Sequence, residues 1–342
     1  MDYKSLLNNV KEDSTTETLH LNSRVLLVDG MNTFLRSFAV INYTNTQGTH
    51  IGGMVGFLRS LAYVVNLTQP TRVICVFDGE GNITNRKNLY SDYKGNRKLK
   101  RITNWSSFDS LEDESASVSQ QMLRLIDYLK QLPINISVID KLEADDIIGY
   151  LAPKFDQSII MSADQDFLQL CSDTVQVYSP IKKKFYGPKE VFDEYGLWPQ
   201  NFINYKALMG DTSDNLPGVK GLGPKKLFKL FPELTGDKKV TLKEIIQKGY
   251  DKHEENGIYG NVYNFRKQLE INEQLMSLED PNIPDYDIKK LDQLLEIEPY
   301  IFNQARFLQL HNSDLLERQI SPNVEFWLSN NFLYLTKYKH KK

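Results

Sequence analysis

The chain has 342 residues, more than one ordinary domain of about 150 residues, so two domains or one with large additions are expected. With 41% hydrophobic, 25% charged and 11% aromatic residues it can bury a sizeable core, which excludes a mostly disordered protein. The 41 basic and 44 acidic residues leave a net charge of −3, too near neutral to name a partner. No run approaches the roughly 18 apolar residues of a membrane span and the start MDYKSLLNNV lacks a leader pattern, so a cytoplasmic, non-membrane protein is expected.

Residues 1–23 are polar, without sustained periodicity, and read as an N-terminal extension. From Arg24 the pattern changes: RVLLVD (24–29), RVICVF (72–77), INISVI (134–139), SIIMS (158–162) and TVQVYS (174–179) are short apolar, β-branched runs that predict strands. Between them, Met122, Leu125, Ile126, Leu129 and Leu132 recur at three- and four-residue spacing, the mark of an amphipathic helix. Strands alternating with helices predict an α/β fold, a parallel-type central sheet flanked by helices. Beyond about residue 195 the strand signals fade into a helical C-terminal region broken by Gly/Pro turns. Cys75 and Cys171 sit in apolar stretches without zinc-site spacing and read as buried thiols.

The acidic residues fall where a parallel sheet binds ligands, outside the carboxyl ends of its strands. Asp29 ends the first strand, Asp78 the second, Glu143, Asp145 and Asp146 precede a helix, and Asp164 and Asp166 follow SIIMS. Asp211 and Asp214 in GDTSDN are three apart. So many carboxylates cannot share a cleft uncompensated; either cations neutralise them or they do not meet. Oxygen ligands without clustered His or Cys select Mg²⁺ or Mn²⁺, and two such ions about 4 Å apart suit phosphodiester hydrolysis. Taken singly each acid has a plainer reading as a cap or turn residue; their joint occurrence at successive strand ends favours a metal site.

Local charge carries more than the total. From Arg86 to Arg101, seven basic residues (Arg86, Lys87, Lys94, Arg97, Lys98, Lys100, Arg101) stand against Asp92 alone, with Tyr90 and Tyr93 interleaved. Aromatic faces stack bases while cations neutralise phosphates, so the segment suits a single nucleic-acid strand rather than only a solvated face. The sign reverses in DSLEDE (109–114), read as a surface kept clear of anions. Arg36, on the first helix, is a further phosphate candidate. In GVKGLGPKK (218–226), Gly218, Gly221 and Gly223 permit a tight turn and Pro224 opens a helix, while Lys220, Lys225 and Lys226 add charge beside exposed backbone N–H groups.

Taken in order, LLVDGMN, the FDG at residue 77, YKGNRK, EADD, SADQDF, GDTSDN and GVKGLGPKK resemble the 5′-nuclease family of flap endonucleases, polymerase-associated 5′ exonucleases and phage enzymes. The resemblance spans about residues 24 to 235. WSSFDSLEDE, VYSPIKKKF and YNFRKQLEINEQLMSLEDPNIPD are similar to the T-even bacteriophage ribonuclease H branch, which removes RNA primers and adjoining DNA from lagging-strand fragments. The resemblance implies a PIN-like nuclease domain over 24–195 with a basic arch at 84–115, and a helical DNA-binding region over 196–290 with a helix-hairpin-helix (helix-three-turn-helix) at 205–232. Residues 291–342 would be a helical segment with a basic tail.

It also implies that Asp29, Asp78, Glu143 and Asp145 hold a first Mg²⁺ and that Asp146, Asp164, Asp166, Asp211 and Asp214 build a second site, with Asp146 or Asp164 shared and Mn²⁺ able to substitute. Lys94 and Arg97 would reach the scissile phosphate; Arg86, Lys87, Tyr93 and Lys98 would line the arch. The hairpin would grip duplex backbone and hold K⁺. Expected partners are 5′-ended or branched duplex DNA and RNA–DNA hybrids, a sliding clamp met by MDYKSLLNNV, and a single-strand-binding protein met by FLYLTKYKHKK, the chain acting as a monomer in a phage-infected cell. The rival readings are a PIN-type ribonuclease and a catalytically silent DNA-binding replisome factor.

Overall fold

The computed structural model describes residues 19–98, 102–281 and 283–340. The clamp-docking expectation for the first residues lies outside them, as do Lys100, Arg101 and the last two lysines.

All five expected strands form: β1 (Val25–Asp29), β2 (Arg72–Asp78), β3 (Asn135–Ile139), β4 (Ser158–Met161) and β5 (Val175–Ser179). A sixth, β6 (Lys184–Tyr186), completes a sheet of order β3-β2-β1-β4-β5-β6. β6 pairs antiparallel with β5, so the sheet is mostly rather than wholly parallel. Three residues, one of them lysine, carry too little pattern to read as a strand; Lys183, at φ 51°, closes the hairpin that lays them down.

Side-chain alternation splits the core. Val25, Leu27, Ile74 and Val76 point into one layer, while Leu26, Val28, Val73, Cys75 and Phe77 point into the other. Both layers are apolar, as a parallel sheet covered on both faces requires. α1 (Gly30–Val40) and α2 (Gly52–Thr68) follow β1; the short α3 (Thr84–Leu89) and α4 (Leu111–Leu129) follow β2; α5 (Ala144–Leu151) joins β3 to β4. In α4 the expected stripe is present: Leu125 and Leu129 are fully buried, with Met122 and Ile126 packed beside them. Ser110 caps this helix, its Oγ accepting from the Asp113 N–H at 3.0 Å. The acidic run there also holds the chain in place, since Glu114 accepts 2.8 Å bonds from the backbone N–H groups of Thr103 and Asn104 and so pins the end of the basic segment.

The helical part comprises α6 (Pro188–Tyr195), α7 (Phe202–Met209), α8 (Pro224–Leu230), α9 (Leu242–Asp251), α10 (Gly257–Asn264), α11 (Arg266–Met276) and α12 (Asp285–Glu296). Its apolar residues join the layer of Val25 and Leu27. The last helices, α13 (Gln304–Ser313) and α14 (Val324–Phe332), return to the opposite layer, where Phe307, Leu328 and Phe332 are fully buried. Leu335 in the expected tail is buried too, and the Tyr334 hydroxyl reaches the Val65 carbonyl at 3.5 Å. Cys75 and Cys171 are buried free thiols, as expected.

Two contacts fix how the parts meet. Arg72, fully buried at the start of β2, donates to Asn135 and Asn22 and to the carbonyls of Leu294, Leu295 and Ile297 at 2.7–2.9 Å, tying the end of α12 to the sheet. A third apolar cluster of Tyr93, Ile203, Leu216, Leu275 and Met276, with Ile83 and Tyr90 packed on it, clips the base of the basic segment to α7 and α11.

Candidate metal centre and its approaches

Strand order reverses between β1 and β4, and the crevice outside their carboxyl ends is where such sheets bind ligands. Asp29 closes β1 and caps α1, accepting from Asn32 N–H at 3.2 Å and from the Ser162 hydroxyl at 2.8 Å. Asp78, ending β2, accepts from the Ala144 N–H at 2.8 Å and so holds the start of α5 against the sheet. Glu143 is the N-cap residue of α5, with Asp145 and Asp146 in its first turn, where the helix dipole favours negative charge. Carboxylate oxygens of Glu143, Asp145 and Asp146 all lie within 4.8 Å of one another. Asp164 caps the 3₁₀ turn Gln165–Leu170 and accepts from the Asp166 N–H at 2.9 Å.

Burial and mutual repulsion shape the charges. Asp29 is pushed up to about 7 by burial, with Asp164 and Asp145 adding to the effect against its two hydrogen bonds. Asp146 is likewise raised by burial to about 7, Arg86 pulling against Asp145 and Asp78. Asp164 is exposed, yet desolvation by the surrounding protein raises it, helped by Asp145 and Asp214. Burial would raise Asp145 as well, but Arg86 and Lys94 outweigh it and the group is lowered.

Protein cations supply the compensation. Arg86 pairs with Glu143, sits 3.4 Å from Asp145 and donates to Asp146 at 2.6 Å. Lys94, at φ 53°, pairs with Glu143. Tyr93, expected to stack a base, is instead 2% exposed, and its hydroxyl lies 3.0 Å from Glu143 and 3.3 Å from Asp214. The base of the basic segment therefore faces inward, onto the carboxylates. Lys87 is exposed, and Arg97 and Lys98 lie on the 3₁₀ turn Gly95–Lys98. Arg36 is half-buried on α1 beside Tyr178, and burial lowers its pKa.

The structure divides the second expected ligand set. Lys206, on α7, bridges Asp166 at 2.8 Å and Asp211 at 2.7 Å. Sequence reading missed it; a lone lysine five residues before Asp211 carries no mark of its own. Asp166 is pushed up to about 7 by burial and by Asp164 despite this lysine. Asp211 is held at about 2, Lys206 and Ser213 outweighing burial, and its other oxygen accepts from Ser213 N–H at 2.7 Å in a tight turn.

The glycine-rich turn follows at once. A Cβ on Gly218 would stand 2.1 Å from the Met209 carbonyl oxygen, so only glycine fits, and Gly221 has φ +79°. Gly223 needs no such freedom; its φ is −122° and nothing lies within 4 Å of where a Cβ would stand. The Asn272 side chain donates to Ala207 and Pro217 carbonyls at 2.9 Å, and that of Asn261 to Lys220 at 3.0 Å, which fixes the turn. Lys220, Lys225 and Lys226 stand exposed around it.

The family model for the 5′-3′ exonuclease N-terminal resolvase-like domain matches residues 24–196, and that for the 5′-3′ exonuclease C-terminal SAM fold matches 197–296. The chain belongs to the 5′-3′ exonuclease family. It is accordingly a hydrolase acting on ester bonds. The 5′-3′ exonuclease of Bacillus subtilis is 34% identical over 263 residues, 73% of this chain and 83% of that one. The 5′-3′ exonuclease of Aquifex aeolicus is 30% identical over 285 residues, 79% and 90% of the two chains. DNA polymerase I of Bacillus subtilis is 32% identical over 226 residues, 64% of this chain but only 24% of the polymerase. A solved bacteriophage T5 flap endonuclease in a product complex with DNA and metal ions superposes with a TM-score of 0.62 at 19% identity, over 80% of this chain and all of that one, a likeness of fold. Among the described residues no helix is long and apolar enough to cross a membrane.

Proposed function

We propose that this family member is a structure-specific 5′-nuclease that hydrolyses phosphodiesters at or near the 5′ ends of duplexes, flaps and RNA–DNA hybrids. The observation that carries the reading is the convergence of Glu143, Asp145 and Asp146 at the sheet mouth, faced by the inward-turned Arg86 and Lys94. The donor set is oxygen only, which fits Mg²⁺ or Mn²⁺ rather than zinc. Glu143, Asp145 and Asp146, with Asp29, Asp78 and Asp164 on the adjoining strand ends, are the residues that would hold two such ions. The ions would supply an activated water and charge stabilisation at the leaving oxygen.

The chain's own groups do the rest. Arg86, Lys94 and Lys206 offset the carboxylate charge, and Lys94 and Arg97 would act on the scissile phosphate. The fixed turn around Gly218 and Gly221, with K⁺ as a further ligand there, and its exposed lysines would hold duplex backbone without reading bases. The likeness to the ribonuclease H branch extends the reading to RNA-primer removal during phage DNA replication. Duplexes with 5′ flaps, recessed ends or RNA–DNA hybrid ends, labelled at 5′ or 3′, are incubated in Mg²⁺ and in EDTA. Metal-dependent products from the 5′ side, clustered at junctions or stepping inward, are expected; equal cutting of unstructured single-stranded RNA would favour the PIN-type ribonuclease instead.

A further inference from the structure

Gln169 lies in the 3₁₀ turn that Asp164 caps and is 3% exposed. Its amide nitrogen donates to the Asp166 carbonyl at 2.8 Å and to the Met276 carbonyl at 3.0 Å, and its oxygen accepts from the Leu278 N–H at 2.9 Å. Both N–H donors and the acceptor are engaged on main-chain groups, so the side chain joins the acid-bearing turn to the end of α11. α5, which carries Asp145 and Asp146, meets the same segment, since a Cβ on Gly149 would stand 2.5 Å from the Leu278 carbonyl oxygen. Four residues before Met276, about 6 Å along the helix axis, the buried Asn272 holds the Ala207 and Pro217 carbonyls, where the glycine-rich turn begins. The last turn of α11 is thus tied at one end to the glycine-rich turn and at the other to both acid-bearing elements.

We propose that Gln169 is a positioning residue that fixes which phosphate of the substrate strand meets the carboxylate mouth, an inference that rests on the nuclease reading above. A duplex gripped at the glycine-rich turn has its phosphates placed relative to Pro217, and the rigid last turn of α11 carries that placement to Met276 and Leu278. Gln169 sets the main chain of Asp166, and with it the neighbouring Asp164, against the same segment. Lys206 acts on the Asp166 carboxylate, Gln169 on its main chain. Its three hydrogen bonds all end on main-chain groups, so losing them changes placement and not the charge of the site. Placement is what the chemistry tolerates least, since a shift of about 1 Å can cost on the order of 100-fold in rate.

Gln169→Met keeps the length of the side chain and removes the three hydrogen bonds. Gly149→Ala moves the same segment from the side of α5 and serves if the first variant does not fold. A 5′-labelled flap substrate is cut in Mg²⁺ with protein in excess, and the position of the first cut is read early in the reaction. The parent is expected to cut at a narrow set of phosphates. The variants are expected to spread first cuts over neighbouring phosphates and to lose about tenfold or more in rate at saturation, with flap affinity in EDTA changed less than about twofold. Arg72→Met, which destabilises the chain away from this connection, is expected to keep the parent's cut positions below its melting temperature. Amide exchange in EDTA gives a readout that needs no metal: bound duplex is expected to slow residues 164–170 in the parent but not in Gln169→Met, while slowing 218–226 in both. Parent cut positions and rate in both variants overturn the proposal, as does slowing over 164–170 that is equal in parent and variant or absent from both, or an equal spread of cuts in Arg72→Met. A parent that cuts no 5′ end in Mg²⁺ or Mn²⁺ fails the nuclease reading instead, and the exchange comparison still decides whether Gln169 makes the connection.

Discussion

Replacing Lys206 by methionine is expected to destabilise the protein strongly and in a pH-dependent way. The lysine is 16% exposed and its partners Asp166 and Asp211 are 18% and 15% exposed, so all three groups are largely desolvated. At 2.8 Å and 2.7 Å and an effective dielectric near 20, each pair is worth about 6 kcal/mol of gross Coulomb energy, most of it offset by desolvation. Methionine keeps the volume and leaves both carboxylates without their cation, a change that typically costs about 3–5 kcal/mol. Asp166 is the group that can escape by protonation, because it already sits at about 7. Urea unfolding in EDTA is therefore expected to show a loss of about 3 kcal/mol or more at pH 8 that shrinks at pH 6. Lys206→Met combined with Asp211→Asn should recover part of it. A loss under about 1 kcal/mol at pH 8, the range of exposed pairs, would refute the reasoning.

Other outcomes follow from the same structure. Asp29, Asp146 and Asp166 have folded-state values near 7, above those of the unfolded chain, so the folded protein binds more protons between about pH 4 and 7. Their contribution makes stability in EDTA fall as pH rises through that window; denaturant titrations showing a rise assigned to these groups by Asp→Asn variants would contradict it. Arg72→Met is expected to cost about 3 kcal/mol or more, since it strands carbonyls at the end of α12, with little change in the cleavage rate measured below the melting temperature. Gly218→Ala should cost about 1–3 kcal/mol and weaken duplex binding, because its Cβ would meet the Met209 carbonyl; unchanged melting would refute the close approach. Neutralising any one of Lys220, Lys225 or Lys226 should lower the salt slope of duplex binding by about one, uniformly across sequences.

The sheet was legible because its five parallel strands are runs of β-branched and aliphatic residues, the first four of them ending near an acid. β6 was not, being only three residues with no apolar run of their own. The carboxylates were legible for the same reason as the strands, since topology alone brings strand ends to one mouth. Their partners were harder. Arg86 and Tyr93 carry the composition of a nucleic-acid surface, yet the acids they face draw them inward, a competition that spacing cannot display. Arg72 reads as an ordinary strand residue, and its five hydrogen bonds come from residues up to 225 positions away. The return of α13 and α14 to the layer of Leu26 and Val28 likewise depends on contacts that no local period encodes.

Metal-dependent hydrolysis at the carboxylate mouth is tested most directly by Glu143→Gln. Single-turnover cleavage of a 5′-labelled flap would be followed as Mg²⁺ is titrated, with flap binding measured alongside in EDTA. The variant is expected to bind the flap still but to cleave it at least about tenfold more slowly, with half-saturation moved to higher Mg²⁺. Cleavage at the parent rate and with the parent Mg²⁺ dependence would contradict metal-dependent chemistry at this mouth.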